Sequence, residues 1–318
     1  MSNTAARRPV PVIFGEALVD VFHEGDVAGG APFNVARHLA ALGLHPLFIT
    51  RLGDDARGRM LGAELQRFGM DMAGVQIDPV HATGEVRVDE SAPGVHAFTI
   101  LPDKAWDHVS GSAAVAALTH CAGTPGLFYY GTLAQRNADS RAAVQALQAA
   151  LPGLGWCDLN WRAGHLTPTA ALAILHSARA VKVNEAELHM VLEWLGLVDD
   201  ALLQRPSTGH ASAAVAALCA GGAVEKVVVT YGADGYAAFD RHGRCVAAGA
   251  AEKVSHMVDT VGSGDAFTAV VIAGELCGWP LATTLERANR FAAALCAVRG
   301  AAPEQLSFYE SWKSDWDL

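Results

Sequence analysis

The stretch DTVGSGDAFTAVVIAG, residues 259–274, places a glycine-rich turn directly before an apolar run of helical length. Glycine lets the backbone approach a ligand closely and turn its N–H groups inward. The first turn of the following helix adds unpaired N–H groups and a partial positive charge. We therefore expect the backbone of Gly262, Ser263 and Gly264 to form an anion hole, in which the developing charge of a transition state is stabilised.

Asp265 ends this turn. A carboxylate there can accept the proton of an attacking hydroxyl while the amides hold a transferring phosphate. From these residues alone a second interpretation is equally open, in which Asp265 is an ordinary N-cap after a glycine turn. The chain has no Gly-Lys dipeptide, which excludes a P-loop, and Phe267 stands where a Gly-x-Gly-x-x-Gly fingerprint needs its third glycine. A dinucleotide-dependent oxidoreductase is therefore disfavoured.

Outward from this stretch, short apolar runs alternate with segments of helical periodicity. Strands are predicted at 10–15, 47–50, 84–89, 97–101, 127–130, 156–160, 180–183 and 227–230, and helices at 34–42, 56–68, 141–151, 168–178, 265–277 and 283–299. The alternation predicts an α/β fold with a mostly parallel central sheet and helices on both faces. No linker-like segment divides the chain, so we expect a single domain over residues 1–318.

Composition limits the classes of function. With 318 residues, of which 51% are hydrophobic and 18% charged, the chain can bury a sizeable core. Its formal net charge of −10 and pI near 5.7 argue against nucleic acid as the main partner. No run approaches the roughly 18 apolar residues that span a bilayer, so we expect no membrane association.

The six cysteines and the N-terminus point to a reducing compartment. No two cysteines lie within four positions of each other, which excludes local Cys-x-x-Cys metal or redox motifs. Residues 1–8 contain no apolar stretch, so no signal peptide is predicted. We expect free thiols and a cytoplasmic location.

Two signatures carry a resemblance to a known family. Residues 259–267, DTVGSGDAF, closely resemble the C-terminal signature of the ribokinase-like, or phosphofructokinase-B, sugar kinases. Residues 29–36, GGAPFNVA, resemble the N-terminal signature in the form typical of fructokinases, and the two lie in the expected order, roughly 230 residues apart. The resemblance implies a ribokinase-like three-layer α/β/α fold with a small β lid, contributed by residues of about 16–30 and 84–103. It makes Asp265 the catalytic base and residues 262–264 the anion hole.

The same resemblance implies a sugar pocket. Asp20 matches the aspartate that binds sugar hydroxyls in the family, and Gly29, Gly30 and Asn34 would line the same pocket. Two alternatives stay open, because Asp20 could be a solvated strand-end residue and Asn34 an ordinary helix-start residue.

Asp158, Asn160 and Arg162 alternate at period two, which predicts that they share one face of a strand and its exit. Ligands of parallel α/β sheets bind at that end of the strands. The pattern resembles the Asp-x-Asn-x-Arg of fructokinases and 2-keto-3-deoxygluconate kinases, which implies substrate binding. A structural ion pair between Asp158 and Arg162 is the alternative.

The tetrapeptide Asn184–Glu187 has the pattern of a capping box, with Asn184 as N-cap and Glu187 at N3. By resemblance it is the Asn-x-x-Glu motif of the family, in which Asn184 lies near the nucleotide and Glu187 helps hold Mg²⁺ through water. The two interpretations are compatible, since Mg²⁺ keeps most of its waters.

The resemblance also implies a nucleotide site and a monovalent-cation site. Thr230, Gly232 and Gly235 match the nucleotide loop, with a plain hairpin turn as the alternative, and Asn289 is placed to reach adenine or its ribose. A K⁺ site is implied at residues near the anion hole, namely Asp259, Val261 and Gly300.

Two aromatic residues belong to the expected lid region. Phe98 and Trp106 could stack on a sugar, and either could instead belong to the core or to an interface. The lid segments are short, so a partner subunit in a homodimer would help to cover the site.

The resemblance implies an ATP- and Mg²⁺-dependent kinase for a small sugar, with fructose as the favoured substrate and K⁺ as an optional further cofactor. Kinases for 2-keto-3-deoxygluconate, ribose or a nucleoside are the alternatives, together with a non-catalytic sugar or nucleotide sensor. The intact Asp265 and its glycines argue against a sensor, which needs no base.

Overall fold

The computed structural model describes residues 8–92, 95–197, 208–254 and 256–318. The strands are β1 Val10–Phe14, β2 Leu18–Phe22, β3 Gly25–Gly29, β4 Leu47–Gly53, β5 Val75–Asp78, β6 Gly84–Ala92, β7 Val95–Ile100, β8 Pro125–Gly131, β9 Gly155–Asp158, β10 Ala180–Asn184, β11 Lys226–Thr230, β12 Tyr236–Asp240 and β13 Cys245–Gly249. The α-helices are α1 Ala31–Ala41, α2 Ala56–Arg67, α3 Gly111–Ala117, α4 Ala138–Ala150, α5 Pro168–His176, α6 Glu185–Trp194, α7 Thr208–Ala220, α8 Ser263–Cys277, α9 Leu281–Leu295 and α10 Glu310–Trp316.

A nine-stranded sheet forms the centre of the molecule, in the order β13-β12-β11-β10-β9-β8-β1-β4-β5. The strands from β11 to β5 are all parallel to their neighbours, whereas β12 and β13 extend the edge in antiparallel fashion. Crossover helices between parallel strands cover both faces, which produces the three-layer arrangement that the sequence predicts.

Alternate residues of the central strands enter two separate cores. In β8, Phe128 and Tyr130 pack into one core, which also receives side chains from α3 to α7. Leu127 and Tyr129 of the same strand pack into the other core, against α1, α2, α8, α9 and α10. This period-two division is expected for a strand buried on both faces.

A second, four-stranded sheet has the order β3-β2-β6-β7. Strand β2 pairs parallel with β6, and the two hairpins β2–β3 and β6–β7 are antiparallel. Its strands come from the two segments that the sequence predicts for the lid.

The last predicted helix is displaced relative to the structure. It begins at Leu281 and ends at Leu295 instead of spanning 283–299. The carbonyl of Cys296 accepts hydrogen bonds from the N–H groups of Val258 and Asp259, at 2.8 and 3.2 Å. The segment that leads into the 262–265 turn therefore bonds to the C-cap residue of α9, Cys296. The helix ends at this point instead of continuing to residue 299.

Three further expectations concern the whole chain. All six cysteines are unpaired. None of the helices in the described part of the chain has both the length and the apolar character needed to cross a bilayer. Residues 1–7, where no signal peptide is predicted, lie outside the described residues.

Candidate active site

Asp265 lies in the first turn of α8, directly after a left-handed glycine. Gly262 has a φ of +75° and is the N-cap of the helix. A Cβ atom on Gly262 would lie 2.6 Å from the Cα of Ala301, so glycine is required here. Asp265 is the third helical residue, and the interpretation of Asp265 as N-cap is therefore wrong. The Ser263 N–H donates to the carbonyl of Thr260 at 3.2 Å, while helix geometry directs the next amides out of the helix end.

Asn34 connects the two distant motifs. It is the fourth residue of α1 and 5% exposed, and its Nδ2 donates to Oδ2 of Asp265 at 2.7 Å. The interpretation of Asn34 as an ordinary helix-start residue is wrong, because Gly30 is the N-cap of α1.

Arg37 orients Asn34 and was not identified from the sequence. Its Nη2 donates to Oδ1 of Asn34. Because the amide oxygen of Asn34 faces Arg37, the amide nitrogen of Asn34 must face Asp265. Arg37 is itself held by Glu64, whose Oε1 accepts from Nη1 at 2.9 Å, and its guanidinium lies 4.6 Å from the ring centroid of Phe33. An arginine inside the apolar pattern of α1 was the available signal, since a buried arginine needs partners.

The environment of Asp265 is suited to proton transfer. Burial raises the pKa of the Asp265 carboxyl to about 6, opposed by the hydrogen bond from Asn34 and by the charge of Lys182. A base with a pKa just below neutral is ionised at physiological pH and still accepts a proton readily.

Asp20 and two glycines of the N-terminal motif lie together. A Cβ on Gly29 would be 2.5 Å from Oδ2 of Asp20, and a Cβ on Gly30 would be 2.5 Å from the carbonyl oxygen of Glu16. Asp20 stands in the middle of β2, not at its end, and burial raises the pKa of its carboxyl to about 6. The strand-end interpretation of Asp20 is therefore wrong.

Glu16 is a second residue that was not identified from the sequence. It is 3% exposed, and its Oε2 has no hydrogen-bond partner in the described part of the chain. Burial raises the pKa of the Glu16 carboxyl to about 7, against the charge of Arg162, while the negative charge of Asp265 raises it further. The side chain is thus close enough to both residues to sense their charges.

The predicted shared face of Asp158, Asn160 and Arg162 is wrong. Strand β9 ends at Asp158, and Asn160 has a φ of +38°, so the chain turns between the three residues. The alternative ion pair between Asp158 and Arg162 is also wrong, because both carboxylate oxygens of Asp158 accept from Lys182 Nζ, at 3.0 and 3.2 Å. Arg162 is exposed and donates to the carbonyl of Trp161.

Lys182 is the third residue that was not identified from the sequence. It lies in β10, is 7% exposed, and its Nζ would be 3.6 Å from a Cβ on Gly264. The ammonium is therefore next to the turn of residues 262–265. Asp158 also accepts from Thr268 of α8 at 3.3 Å, which ties the strand ends to the helix that carries Asp265. A lone lysine inside an apolar strand is the signal for such a buried pair.

The capping box at the start of α6 is confirmed. Asn184 Oδ1 accepts from the Glu187 N–H at 2.9 Å, and Glu187 Oε2 accepts from the Asn184 N–H at 2.8 Å. Glu187 Oε1 accepts from the N–H of Trp161 at 2.8 Å, so one carboxylate joins the segments that follow β9 and β10. Burial and the charge of Asp158 raise the pKa of Glu187, against the charge of Lys182.

The predicted nucleotide residues converge on one segment. Thr230 ends β11, and the turn containing Gly232 and Gly235 leads into β12, so the hairpin is present. A Cβ on Gly235 would collide with the carbonyl oxygen of Gly249. Asn289 of α9 donates to the carbonyl of Ala250 at 3.0 Å. The loop and the helix therefore meet at residues 249–250.

The residues predicted for K⁺ also meet. Asp259 Oδ1 accepts from the N–H of Val261, and its Oδ2 accepts from the N–H of Gly300, both at 3.0 Å. Asp259 thus connects the segment that leads into the 262–265 turn with the segment that follows α9.

The two aromatic residues near the lid differ. Phe98 stands on β7 and is 58% exposed. Trp106 is fully buried beneath the guanidinium of Arg136, 4.1 Å from the ring centroid, and belongs to the core. Trp106 is therefore not available to stack on a sugar.

Known proteins resemble this chain over most of its length. A family model described as pfkB family carbohydrate kinase matches residues 3–306. Fructokinase-1 of Oryza sativa subsp. japonica is 30% identical over 277 residues, which cover 83% of this chain and 78% of the rice protein.

Two solved structures share the fold. The structure of a fructokinase with bound ATP from Xylella fastidiosa has a TM-score of 0.76 at 21% identity and covers 97% of this chain and 99% of its own. A fructokinase from Vibrio cholerae O395, with fructose, ADP and calcium ion bound, has a TM-score of 0.73 at 23% identity, with coverage of 95% and 98%.

Proposed function

The chain belongs to the pfkB family of carbohydrate kinases and is a sugar phosphotransferase, and from this premise we propose that it transfers the γ-phosphate of ATP to a hydroxyl of fructose. The contact between Asn34 and Asp265 carries the proposal. It unites the glycine-rich motif beside Asp20 with the glycine-rich turn of α8, so that a sugar pocket and an anion hole share one carboxylate.

In the proposed step, Asp265 accepts the proton of the reacting sugar hydroxyl. The sugar oxygen forms a bond to the γ-phosphorus as the bond from that phosphorus to the β-phosphate oxygen breaks, and ADP leaves with the electron pair. The amides of residues 262–264 and the ammonium of Lys182 offset the charge on the transferring phosphoryl group. The position of Lys182 next to Gly264 supports this role.

ATP would lie along the loop that contains Thr230, Gly232 and Gly235, with its adenine or ribose toward Asn289. The Asn289 Nδ2 donates one N–H to Ala250, which leaves its second N–H and its Oδ1 for the nucleotide. The phosphates would then point from Asn184 toward the start of α8.

Asp158 and Glu187 would hold Mg²⁺ through water, and the bound ion would supply positive charge against the phosphates of ATP. The residues present fit a hydrated ion, because the carboxylates of Asp158 and Glu187 face a single ammonium, that of Lys182. Both oxygens of Glu187 already accept backbone hydrogen bonds, which suits a contact through water better than direct ligation. We extend the proposal to a K⁺ site beside the anion hole, in which Asp259, the backbone of Val261 and Gly300 would hold an ion whose charge tunes the anion hole.

The sugar would lie between Asp20, Asn34 and the chain from Asp158 to Arg162. Asp20, with Gly29 and Gly30 beside it, is suited to accept two neighbouring hydroxyls. Asn160 and Arg162 would face the sugar from the opposite side, and Phe98 would cover it from the lid. Asp158 would act through Lys182, since its oxygens are already bonded to protein groups.

Arg162 supports one second candidate, a kinase for the acid sugar 2-keto-3-deoxygluconate. Its exposed guanidinium could bind a carboxylate. The acidic side chains of Asp20 and Glu16 argue for the neutral sugar, because the positive charge of Arg162 already acts on both of them.

The test is ADP release with a panel of fructose, ribose, 2-keto-3-deoxygluconate and a nucleoside. Fructose is expected to give the highest kcat/KM. A higher value for the acid sugar would replace fructose by the second candidate, and no turnover with any compound would favour a sensor. The homodimer and the cytoplasmic location stay predictions.

A further inference from the structure

Two histidines and an aspartate meet at the base of the lid hairpin β6–β7. His81 precedes β6, Asp103 follows β7, and His108 ends the short 3₁₀ helix Ala105–His108. One ligand atom from each of the three side chains lies within 4.8 Å of the other two. None of these residues belongs to the candidate active site.

Each imidazole is oriented by its own carboxylate. His81 Nδ1 lies 2.9 Å from Oδ2 of Asp78, and His108 Nδ1 lies 3.0 Å from Oδ2 of Asp139. A carboxylate at Nδ1 accepts the ring proton and leaves the Nε2 lone pair for a metal, the arrangement found around metal-bound histidines. Both Nε2 atoms face Oδ1 of Asp103, at 3.9 Å for His81 and 2.8 Å for His108.

The charges around the cluster favour a cation. Three carboxylates, those of Asp78, Asp103 and Asp139, contact the two imidazoles. Among the ion pairs of the described residues, Arg51 is the one arginine or lysine that pairs with these carboxylates, through Asp78. Negative charge therefore remains in excess around the two rings.

The cluster is held in an uncommon conformation. Asp103 has a φ of +54°, a left-handed conformation that costs energy for most residues and often marks a functional site. The two rings stack with centroids 3.7 Å apart and 15° between their planes. The nitrogen lone pairs of the two stacked rings therefore point in nearly parallel directions. To share one ion, one imidazole must rotate about χ2, the terminal side-chain torsion, which is only weakly restricted in histidine. The 27% exposure of the His81 side chain leaves room for that tilt.

We propose that His81, Asp103 and His108 bind a divalent transition-metal ion, with Zn²⁺ as the preferred metal and solvent at the fourth position. Two imidazole nitrogens and one carboxylate oxygen form a ligand set of the kind that Zn²⁺ and Co²⁺ favour, whereas Mg²⁺ favours oxygen ligands and water. The site is therefore separate from any Mg²⁺ that accompanies ATP.

The bound ion joins the two ends of the lid hairpin. His81 leads into β6, and Asp103 lies beyond β7, so one ion connects both strands at their base. Asp78 at the end of β5 and Asp139 in α4 attach the site to the central sheet and its helical layer. Metal binding thus stiffens the base of the lid without touching the reacting atoms.

The test is a titration of untagged, chelator-treated full-length protein with Co²⁺ at pH 8, followed by displacement with Zn²⁺. The wild type is expected to bind one equivalent of Co²⁺, with visible ligand-field bands that Zn²⁺ removes and excess Mg²⁺ does not. Zn²⁺ is also expected to raise the Tm of the wild type.

Four variants decide the assignment. Asp103→Asn keeps a residue that tolerates the left-handed conformation, and its side chain is 73% exposed, so folding is not at risk. It and His108→Gln are expected to weaken Co²⁺ binding at least about 100-fold, and Asp139→Asn about 10–100-fold. His242→Gln, which removes an exposed histidine elsewhere, is the matched control and should bind like the wild type. Wild-type binding by Asp103→Asn and His108→Gln, or no cobalt bands in the wild type, would overturn the proposal.

Discussion

At the scale of single residues, the proposed chemistry depends on the Asp265 carboxylate and on the groups that set its proton affinity. Burial raises the pKa of Asp265, while Asn34 donates to one of its oxygens and Lys182 contributes a nearby positive charge. The carboxylate is thus basic enough to take a proton and remains ionised at neutral pH.

The pH dependence of turnover should report this carboxylate. Because burial raises the pKa of Asp265 to about 6, the base is ionised above that pH and becomes protonated below it. Activity should therefore be constant near neutrality and fall by about tenfold per pH unit on the acid side of the pKa. The measurement is kcat for the sugar between pH 4.5 and 8, at saturating ATP. An acid limb with a midpoint near the ordinary pKa of a solvated aspartate would contradict the assignment.

Arg37 should act on the reaction through Asn34. Arg37→Met removes the donor that fixes the Asn34 amide, so Asp265 loses part of its hydrogen bond and its pKa should rise. We expect kcat to fall by roughly 10–100-fold, the effect of one hydrogen bond to a charged group, and the acid limb to move to higher pH.

Arg67→Met is the matched control for Arg37→Met. Arg67 pairs with the same carboxylate, Glu64, but lies at the surface of α2 and does not contact Asn34. It should leave both kcat and the acid limb unchanged. Equal effects of the two substitutions would show that Arg37 acts through general stability alone.

Individual site residues were predictable only where the local sequence identifies them. Asp265 follows a glycine turn, and Asn184 and Glu187 form a capping box, so each could be found from its neighbours. Lys182 and Arg37 stand out locally as charged residues inside apolar patterns, but the partners that give them their roles are brought to them by tertiary packing. The shared strand face of Asp158, Asn160 and Arg162 was mispredicted because their period-two pattern continues beyond the true end of β9.

At the scale of elements, the entry into α8 depends on a glycine that has two separate roles. Gly262 adopts the left-handed conformation, and it also lies against the backbone of Ala301. Gly278, at the other end of the same helix, adopts a similar φ of +70°. A Cβ atom added at Gly278, however, would have no neighbouring atom within 4 Å.

These two glycines permit a matched comparison. Gly278→Ala should cost about 1–2 kcal/mol, the strain of one left-handed residue. Gly262→Ala should cost more, because the added methyl also collides with Ala301, and it should lower kcat by displacing the anion-hole amides. Chemical denaturation and steady-state kinetics check both effects. If Gly262→Ala destabilised the protein no more than Gly278→Ala and left kcat unchanged, the close packing inferred at Gly262 would be contradicted.

Elements with strong patterns were predicted well, and weakly patterned elements were not. The buried strands β1, β8 and β11 have continuous apolar centres, β10 is apolar around Lys182, and all four were located to within two residues at each end. Strand β3 contains two glycines and an aspartate, Gly25, Asp26 and Gly29, and forms only because β2 pairs with it. Such a strand has no sequence signal of its own, since tertiary pairing overrides its weak propensity.

At the scale of the whole molecule, the site is assembled by packing α1 against α8. Asn34 and Asp265 are separated by 231 positions in sequence, and their side chains are in hydrogen-bond contact. The resemblance of both segments to one family predicted that they cooperate. The physical pattern of residues 262–265 left a catalytic base and a helix cap equally open and did not link this turn to Asn34. The small sheet of β2, β3, β6 and β7 is likewise built from two distant segments.

The most direct test of Asp265 as the catalytic base compares Asp265→Asn with the wild type, using fructose and ATP. The substitution keeps the shape of the side chain and removes its ability to accept a proton. We predict a kcat lower by about 10²–10⁴-fold with ATP affinity unchanged. Asp315→Asn, at an exposed aspartate on α10, is the control and should keep full activity. Turnover by Asp265→Asn equal to that of the wild type would contradict the central claim that Asp265 is the base of a sugar kinase.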